Sequence, residues 1–326
     1  MSHPSDNPVF LVGAERSGTT LLRLMLAYHP RLSVLSEFEY ITDPLEPEFG
    51  GDGSIPSGDR LREFLATQWM FHQHRKDEGL SPSDDSDYRA VARDLLRQAA
   101  DLKPEADTLI AIVHRGMKHL PTLFGDKPTR YVHIVRDPRD VARSNIGMGW
   151  AGNVYHGVER WLDVERQWEA LRPTLAEGTY MELRQEDLIL DTEPTLRRIC
   201  AFLGLDYDPA MMDYQRESTY EKPDPSLVEQ WKRKQTPEQI GLVEARVGDL
   251  LTARGYEPSG HPPVSPGALG LAKLKLGDKL SRLRWRGRVN GWGLLTQDIL
   301  SRKLGMKRWQ AKLQPRLLDR FETTLR

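Results

Sequence analysis

The stretch "VGAERSGTTLL", Val12 to Leu22, constrains the fold more than any other part of the chain. A short β-branched run, "PVFLV", meets two glycines, Gly13 and Gly18, and apolar residues then recur at helical spacing until Pro30. Strand, glycine loop and helix together form the arrangement in which backbone amides and the positive end of a helix cradle an anion. The phosphate loop of nucleoside-triphosphate proteins reads GxxxxGK[ST], its lysine reaching the terminal phosphates and its hydroxyl holding magnesium. Here the glycine spacing is kept, but Thr19 stands in the place of the lysine. An anion would therefore rest on Arg16, the Ser17 and Thr20 hydroxyls and the first amides of the helix, with Arg16 offering a fixed, two-pronged charge. Taken alone, such a loop can equally serve only to make the turn.

The rest of the chain repeats the alternation. "RLSVLSE", "TLIAIVH", "RYVHIVRDPRD" and "TYMELR" read as further strands, separated by helical segments that include Asp59 to His74 and Asp87 to Leu102. Strands alternating with helices predict an α/β fold of the P-loop NTPase-like kind, a parallel sheet flanked by helices. Ligands bind at the carboxyl ends of such strands, so the Arg16 loop, the strand ends at Glu37 and His114, and the turn at Arg136 are expected on one edge. The Pro- and Gly-rich Ile41 to Ile55 reads as a mobile loop beside it. "GYEPSGHPPVSPG", Gly255 to Gly267, reads as a linker, which divides the chain into a catalytic part, 1–258, and a linker with a basic helical extension, 259–326.

Bulk properties remove several classes. The net charge is −1, and no nucleic-acid-binding module is recognisable, so nucleic acid is not expected as a partner. A single cysteine, Cys200, excludes a disulfide framework, and its helical spacing from Leu196 and Leu203 points to a core position. The N-terminus lacks a basic segment followed by an apolar one, and no apolar run approaches the roughly 20 residues of a membrane span, so the expected location is cytoplasmic. Charge is nevertheless uneven, with fifteen Lys or Arg against four Asp or Glu from Leu271 to Arg326.

A second motif is "IVRDPRDVARS", Ile134 to Ser144. Arg136 closes a strand and Ser144 follows eight positions later on the next helix, so that arginine and hydroxyl could pinch one phosphate. The plain alternative is an arginine paired with Asp137 or Asp140 and an exposed serine. Together, "GAERSGTTLLRLML" and "YVHIVRDPRDVARS" resemble the paired binding motifs of sulfotransferases that use 3'-phosphoadenosine-5'-phosphosulfate. The likeness runs from about Pro8 to Pro258, because "LRQEDLI" resembles the family's RYEDL stretch and "ESTYEKPDPSLVEQW" its late nucleotide-contacting segment. The resemblance implies that Arg16, Ser17, Gly18, Thr19 and Thr20 hold the 5'-phosphosulfate, and Arg136 and Ser144 the 3'-phosphate. It also implies that Ser218 touches the nucleotide, that Lys222 or Lys232 adds charge nearby, and that the desulfated nucleotide is a product. A donor without a γ-phosphate needs neither the missing lysine nor a metal. Two departures stand out: Gln185 replaces the tyrosine of RYEDL, and Met148 stands where tyrosylprotein sulfotransferases carry an arginine, with Arg143 nearby as a substitute.

Sulfuryl transfer needs a base for the acceptor's proton and a cation for the bridging oxygen. Glu37, twenty-one positions after Arg16, resembles the catalytic glutamate of tyrosylprotein sulfotransferases, and an anionic ligand beside it would raise its pKa. His114, at the end of a strand on the same edge, is the alternative base. Either Arg115 or Lys118, in "VHRGMKHLP", is the candidate cation. The acceptor is expected to carry a hydroxyl or an amine, as a sugar, phenol, lipid or peptide does. The basic tail is expected to pack its leucines on the catalytic part, with a peripheral membrane surface or an acidic partner as alternatives. The competing functions are a nucleotide kinase or related phosphotransferase, and a nucleotide-binding scaffold without activity.

Overall fold

A computed structural model describes residues 3–216 and 222–325. The chain divides into two compact units, one formed by Met1–Asp137 with Arg160–Val228 and the other by Pro138–Glu159 with Glu229–Arg326.

The first unit holds a five-stranded, fully parallel sheet: β1 Val9–Val12, β2 Leu32–Leu35, β3 Thr108–Val113, β4 Arg130–Val135 and β5 Tyr180–Arg184. The strands lie in the order β2-β3-β1-β4-β5, so β1 is flanked by β3 on one side and β4 on the other. All of β1 and β3 is buried, as expected of parallel strands covered on both faces and written as near-continuous hydrophobic runs. On one face Leu22, Met25 and Leu26 of the helix Thr19–Ala27 pack with Leu196, Ile199, Cys200 and Leu203 of the helix Thr192–Leu203. Cys200 is fully buried there, with its Sγ 3.8 Å from Met211 Sδ. The second helix stops at Gly204, whose φ of 76° is the left-handed conformation glycine adopts cheaply.

Two segments differ from the sequence reading. The helix expected from Asp59 to His74 is two helices, Gly58–Leu65 and Trp69–Asp77. The break falls at Thr67, whose hydroxyl donates to the Phe64 carbonyl at 2.8 Å and competes with the helical ladder. The segment Ile41 to Ile55 follows from the 3-10 turn Glu39–Ile41, contains two more, Asp43–Leu45 and Pro47–Phe49, and is buried from Ile41 to Leu45. The Tyr88 hydroxyl donates to the Ile41 carbonyl at 2.8 Å, and Asp43 pairs with Arg115 at 2.9 Å, so its first half is pinned.

The second unit is helical. The long helix Ala268–Asn290 is fastened to the segment Gly147–Asn153: the Gly152 amide donates to Asp278 at 2.7 Å, Asn153 Nδ2 to the Leu274 carbonyl at 2.8 Å, and Trp285 Nε1 to the Gly147 carbonyl at 3.0 Å. The helices Trp292–Lys303 and Lys307–Leu325 follow it. Among the described residues no helix is long and apolar enough to cross a membrane.

Candidate active site

The loop after β1 is held by close approach to β4. A Cβ on Gly13 would stand 2.3 Å from the Ile134 carbonyl oxygen, which leaves room only for glycine. Gly18 caps the helix at φ 89°, and a Cβ there would meet Gln185 Cγ at 2.5 Å. Arg16 adopts φ 70° with a full side chain, a conformation that costs on the order of 1 kcal/mol. Among the described residues only Arg16, Glu37 and Glu229 do so without being glycine, and two of these three are the residues singled out above for anion binding and proton transfer.

Arg136, one residue past β4, folds back onto this loop. Its Nη1 donates to the Arg16 carbonyl at 3.1 Å and its Nη2 to the Leu227 carbonyl at 3.1 Å, while Trp161 Nε1 holds the Arg136 carbonyl at 2.9 Å. Both motifs thus meet at one cavity of about 270 Å³, whose walls include Arg16, Gly18, Thr19, Thr20, Arg136 and Lys222. The Ser17 hydroxyl is fully buried without a hydrogen-bond partner, and Gln185 Oε1, beside Gly18, is buried without one too. A buried donor left unsatisfied costs stability, so an anion accepting from Ser17 fits the loop as it stands. Gln185, which stands in place of the RYEDL tyrosine, lines the cavity.

Two nucleotide candidates, Ser144 and Lys232, belong to the second unit. Ser144 lies half-buried on the helix Pro138–Gly147 of the second unit, where Arg143 donates to Gln230 Oε1 at 3.1 Å. Lys232 pairs with Glu229 at 2.7 Å. Ser218 lies outside the described residues.

A second cluster forms where β2 and β3 end. The Phe38 amide donates to the Ile112 carbonyl at 2.7 Å, carrying Glu37 past the strand end at φ 46°. Burial raises the Glu37 pKa above the ordinary carboxylate range, and the charge of Glu39 raises it further. Glu39 is itself raised by burial, and its Oε2 is buried without a partner. His114 donates from Nδ1 to the Gly13 carbonyl at 2.9 Å, which leaves Nε2 as the nitrogen able to exchange a proton. Burial pulls the His114 imidazole down, but the carboxylates of Glu39 and Glu15, the hydrogen bond to Gly13 and the Glu37 carboxylate together outweigh it, and its pKa is raised. The half-buried Glu37 and the buried Glu39 and His114 thus feel one another's charge, and His114 is tied to the anion loop through Gly13.

The two candidate cations separate. Arg115 binds Asp43 through Nε and Nη2 at 3.2 and 2.9 Å and approaches Glu15 at 3.8 Å. Lys118 is paired with Glu46 at 2.9 Å and lines neither cavity. Glu15 and Arg160, joined at 2.7 Å, were missed in the sequence; with Arg115 they line a cavity of about 440 Å³. Glu15 lies beside Arg16 in the quoted loop, but nothing local announces its partner 145 positions away. Among the described residues no group of His, Cys, Asp and Glu could hold a metal ion. His133 is a core residue, its Nε2 3.1 Å from Glu165 and its ring stacked on Trp168 at 4.6 Å.

Comparison with known proteins bears on the family and the fold. The model of the sulfotransferase family matches residues 8–209. The omega-hydroxy-beta-dihydromenaquinone-9 sulfotransferase Stf3 of Mycobacterium bovis is 23% identical over 320 aligned positions, covering 78% of this chain and 76% of that protein. Protein-tyrosine sulfotransferase A of Caenorhabditis elegans is 21% identical, covering 78% and 68%. Among solved structures, the sulfotransferase domain of the Synechococcus PCC 7002 olefin synthase superposes with a TM-score of 0.53 at 24% identity, covering 74% of this chain and 96% of that one. A sulfotransferase domain from the curacin biosynthetic pathway gives 0.54 at 19%, covering 77% and 98%. Both share the fold.

Proposed function

The chain belongs to the sulfotransferase family, and on that premise we propose that it moves a sulfuryl group from 3'-phosphoadenosine-5'-phosphosulfate to a hydroxyl or amine of its acceptor. The observation that carries the donor assignment is the Arg136 guanidinium on the Arg16 carbonyl at 3.1 Å, which brings the two anion-binding motifs to one cavity. When bound, that nucleotide supplies a sulfuryl group on a good leaving phosphate. Arg16, the Ser17, Thr19 and Thr20 hydroxyls and the amides at Gly18 hold its 5' end. Lys222 adds charge at the cavity wall, and by resemblance Arg136 and Ser144 hold the 3'-phosphate. Catalysis in such a site rests on positioned donors that need no reorganisation as charge moves.

Glu37 takes the acceptor's proton. Its raised pKa brings a carboxylate nearer the value a general base needs, and the strained backbone holds it at the edge where β2 ends. His114 is the second basic group, and Arg115, rather than the exposed Lys118, is the cation beside it. Relatives named for a hydroxylated menaquinone and for protein tyrosine support a hydroxyl-bearing acceptor. The catalytic part is proposed to be 1–258, with 259–326 as a linker and helical extension.

The test pairs calorimetry, using the desulfated nucleotide, with transfer of radioactive sulfate to a panel of glycans, phenols, lipids and peptides. Binding, transfer unaffected by a magnesium chelator, and loss of both with Arg16→Ala are expected. Magnesium-dependent phosphoryl transfer would make the protein a kinase instead. Tight binding with no transfer to any acceptor would make it a scaffold.

A further inference from the structure

The helix Ala268–Asn290 has one face fastened and one face open. Asp278 is 7% exposed, and its bond to Gly152, with that of Trp285 to Gly147, fixes the inner side. At 100° per residue, Leu269, Leu276, Leu280 and Leu283 fall within a narrow stripe on the side opposite Asp278. They are 71%, 60%, 44% and 36% exposed. Gly287 continues the stripe, and the Trp292 ring packs over it, 2.7 Å from where a Cβ would stand, while remaining 55% exposed. The helix carries seven Lys or Arg against one acid, Asp278. Lys273 and Arg284 border the stripe on one side and Lys279 on the other; all three are exposed and hold no carboxylate among the described residues. These four leucines are left open to solvent.

An open stripe of leucines bordered by cations matches the boundary between acyl chains and phosphate headgroups, with tryptophan at its end. A nucleic acid would satisfy the cations and leave the leucines in water. A second copy of this helix would bring two sets of like charges together. We infer that the helix Ala268–Asn290 is a membrane-surface anchor that lies flat on anionic phospholipid, with Leu269, Leu276, Leu280 and Leu283 in the acyl boundary and Lys273, Lys279 and Arg284 on headgroup phosphates. The inference does not depend on the sulfuryl-transfer reading.

The test is co-sedimentation of the full chain with vesicles of phosphatidylcholine alone or mixed with phosphatidylglycerol. Binding to the mixed vesicles only, weakened by salt, is expected. The variant Leu276→Glu/Leu280→Glu should bind about tenfold less or weaker still, since both leucines would leave the acyl boundary. Lys273→Glu/Lys279→Glu/Arg284→Glu should lose the preference for phosphatidylglycerol. All these positions are exposed, and matching thermal midpoints will establish that the variants fold. Equal binding by the leucine variant, no partition of the parent protein onto anionic vesicles, or retention of duplex DNA in place of vesicles would each overturn the assignment. So would a dimer in solution that the leucine variant dissociates.

Discussion

At the residue scale, Arg16 allows charge and backbone to be separated. Because Arg16 stands at φ 70°, Arg16→Gly removes the guanidinium while relieving the left-handed strain. The thermal midpoint should stay level or rise, and calorimetry with the desulfated nucleotide should show affinity reduced about tenfold or more. The carboxylates give a second expectation, with a definite sign. Glu39 holds its proton more tightly in the folded protein than in the unfolded chain, chiefly through burial. The folded state thus binds more protons as pH rises through the ordinary carboxylate range, and stability is lost over that window rather than gained. Glu39→Gln, which stays neutral, should stabilise the protein by on the order of 1 kcal/mol at about pH 7 and by little below about pH 4, as thermal melts across pH will measure. Glu37 shares the upward shift. If it is the base, the transfer rate rises with pH through its raised value, and Glu37→Gln removes that limb together with about a hundredfold or more of the rate. Survival of the limb in Glu37→Gln and its loss in His114→Gln would pass the role to His114.

At the scale of elements, Gly13 is a contact between β1 and β4 as much as a part of the loop. Gly13→Ala would press a methyl group onto the Ile134 backbone, and a loss of about 1–3 kcal/mol in chemical denaturation is expected. The strands were legible because parallel strands buried on both faces write themselves as near-continuous hydrophobic runs, as "TLIAIV" does for β3. The edge shared by Arg16, Glu37, His114 and Arg136 followed from strand polarity alone. The break at Thr67 was not legible, since a side-chain hydroxyl competing with a helical carbonyl leaves the apolar periodicity intact. Nor were the pairings of Arg115 with Asp43 and of Arg160 with Glu15, which close over 72 and 145 positions. Charges on separate elements meet only after the sheet has brought those elements together. The role of Gln185 was hidden for the same reason: its side chain becomes a wall only once Gly18 lies against it.

At the scale of the whole molecule, the linker composition suggested a cut near Pro258, whereas the compact units gather Pro138–Glu159 with Glu229–Arg326. In the second unit the segment Gly147–Asn153 depends on Asp278, Leu274 and Trp285 for three hydrogen bonds. A chain ending at Pro258 should therefore lose about 1 kcal/mol or more of stability, and hydrogen exchange at the Gly152 amide should accelerate. Cys200 has a practical consequence of a different kind. The thiol is fully buried and its pKa is pushed up to about 11 by that burial, so it stays protonated in ordinary buffers and hidden from oxidants and maleimides. A cysteine introduced at any exposed position would be the one accessible thiol in the chain, ready to carry a fluorophore or spin label without removal of the native residue.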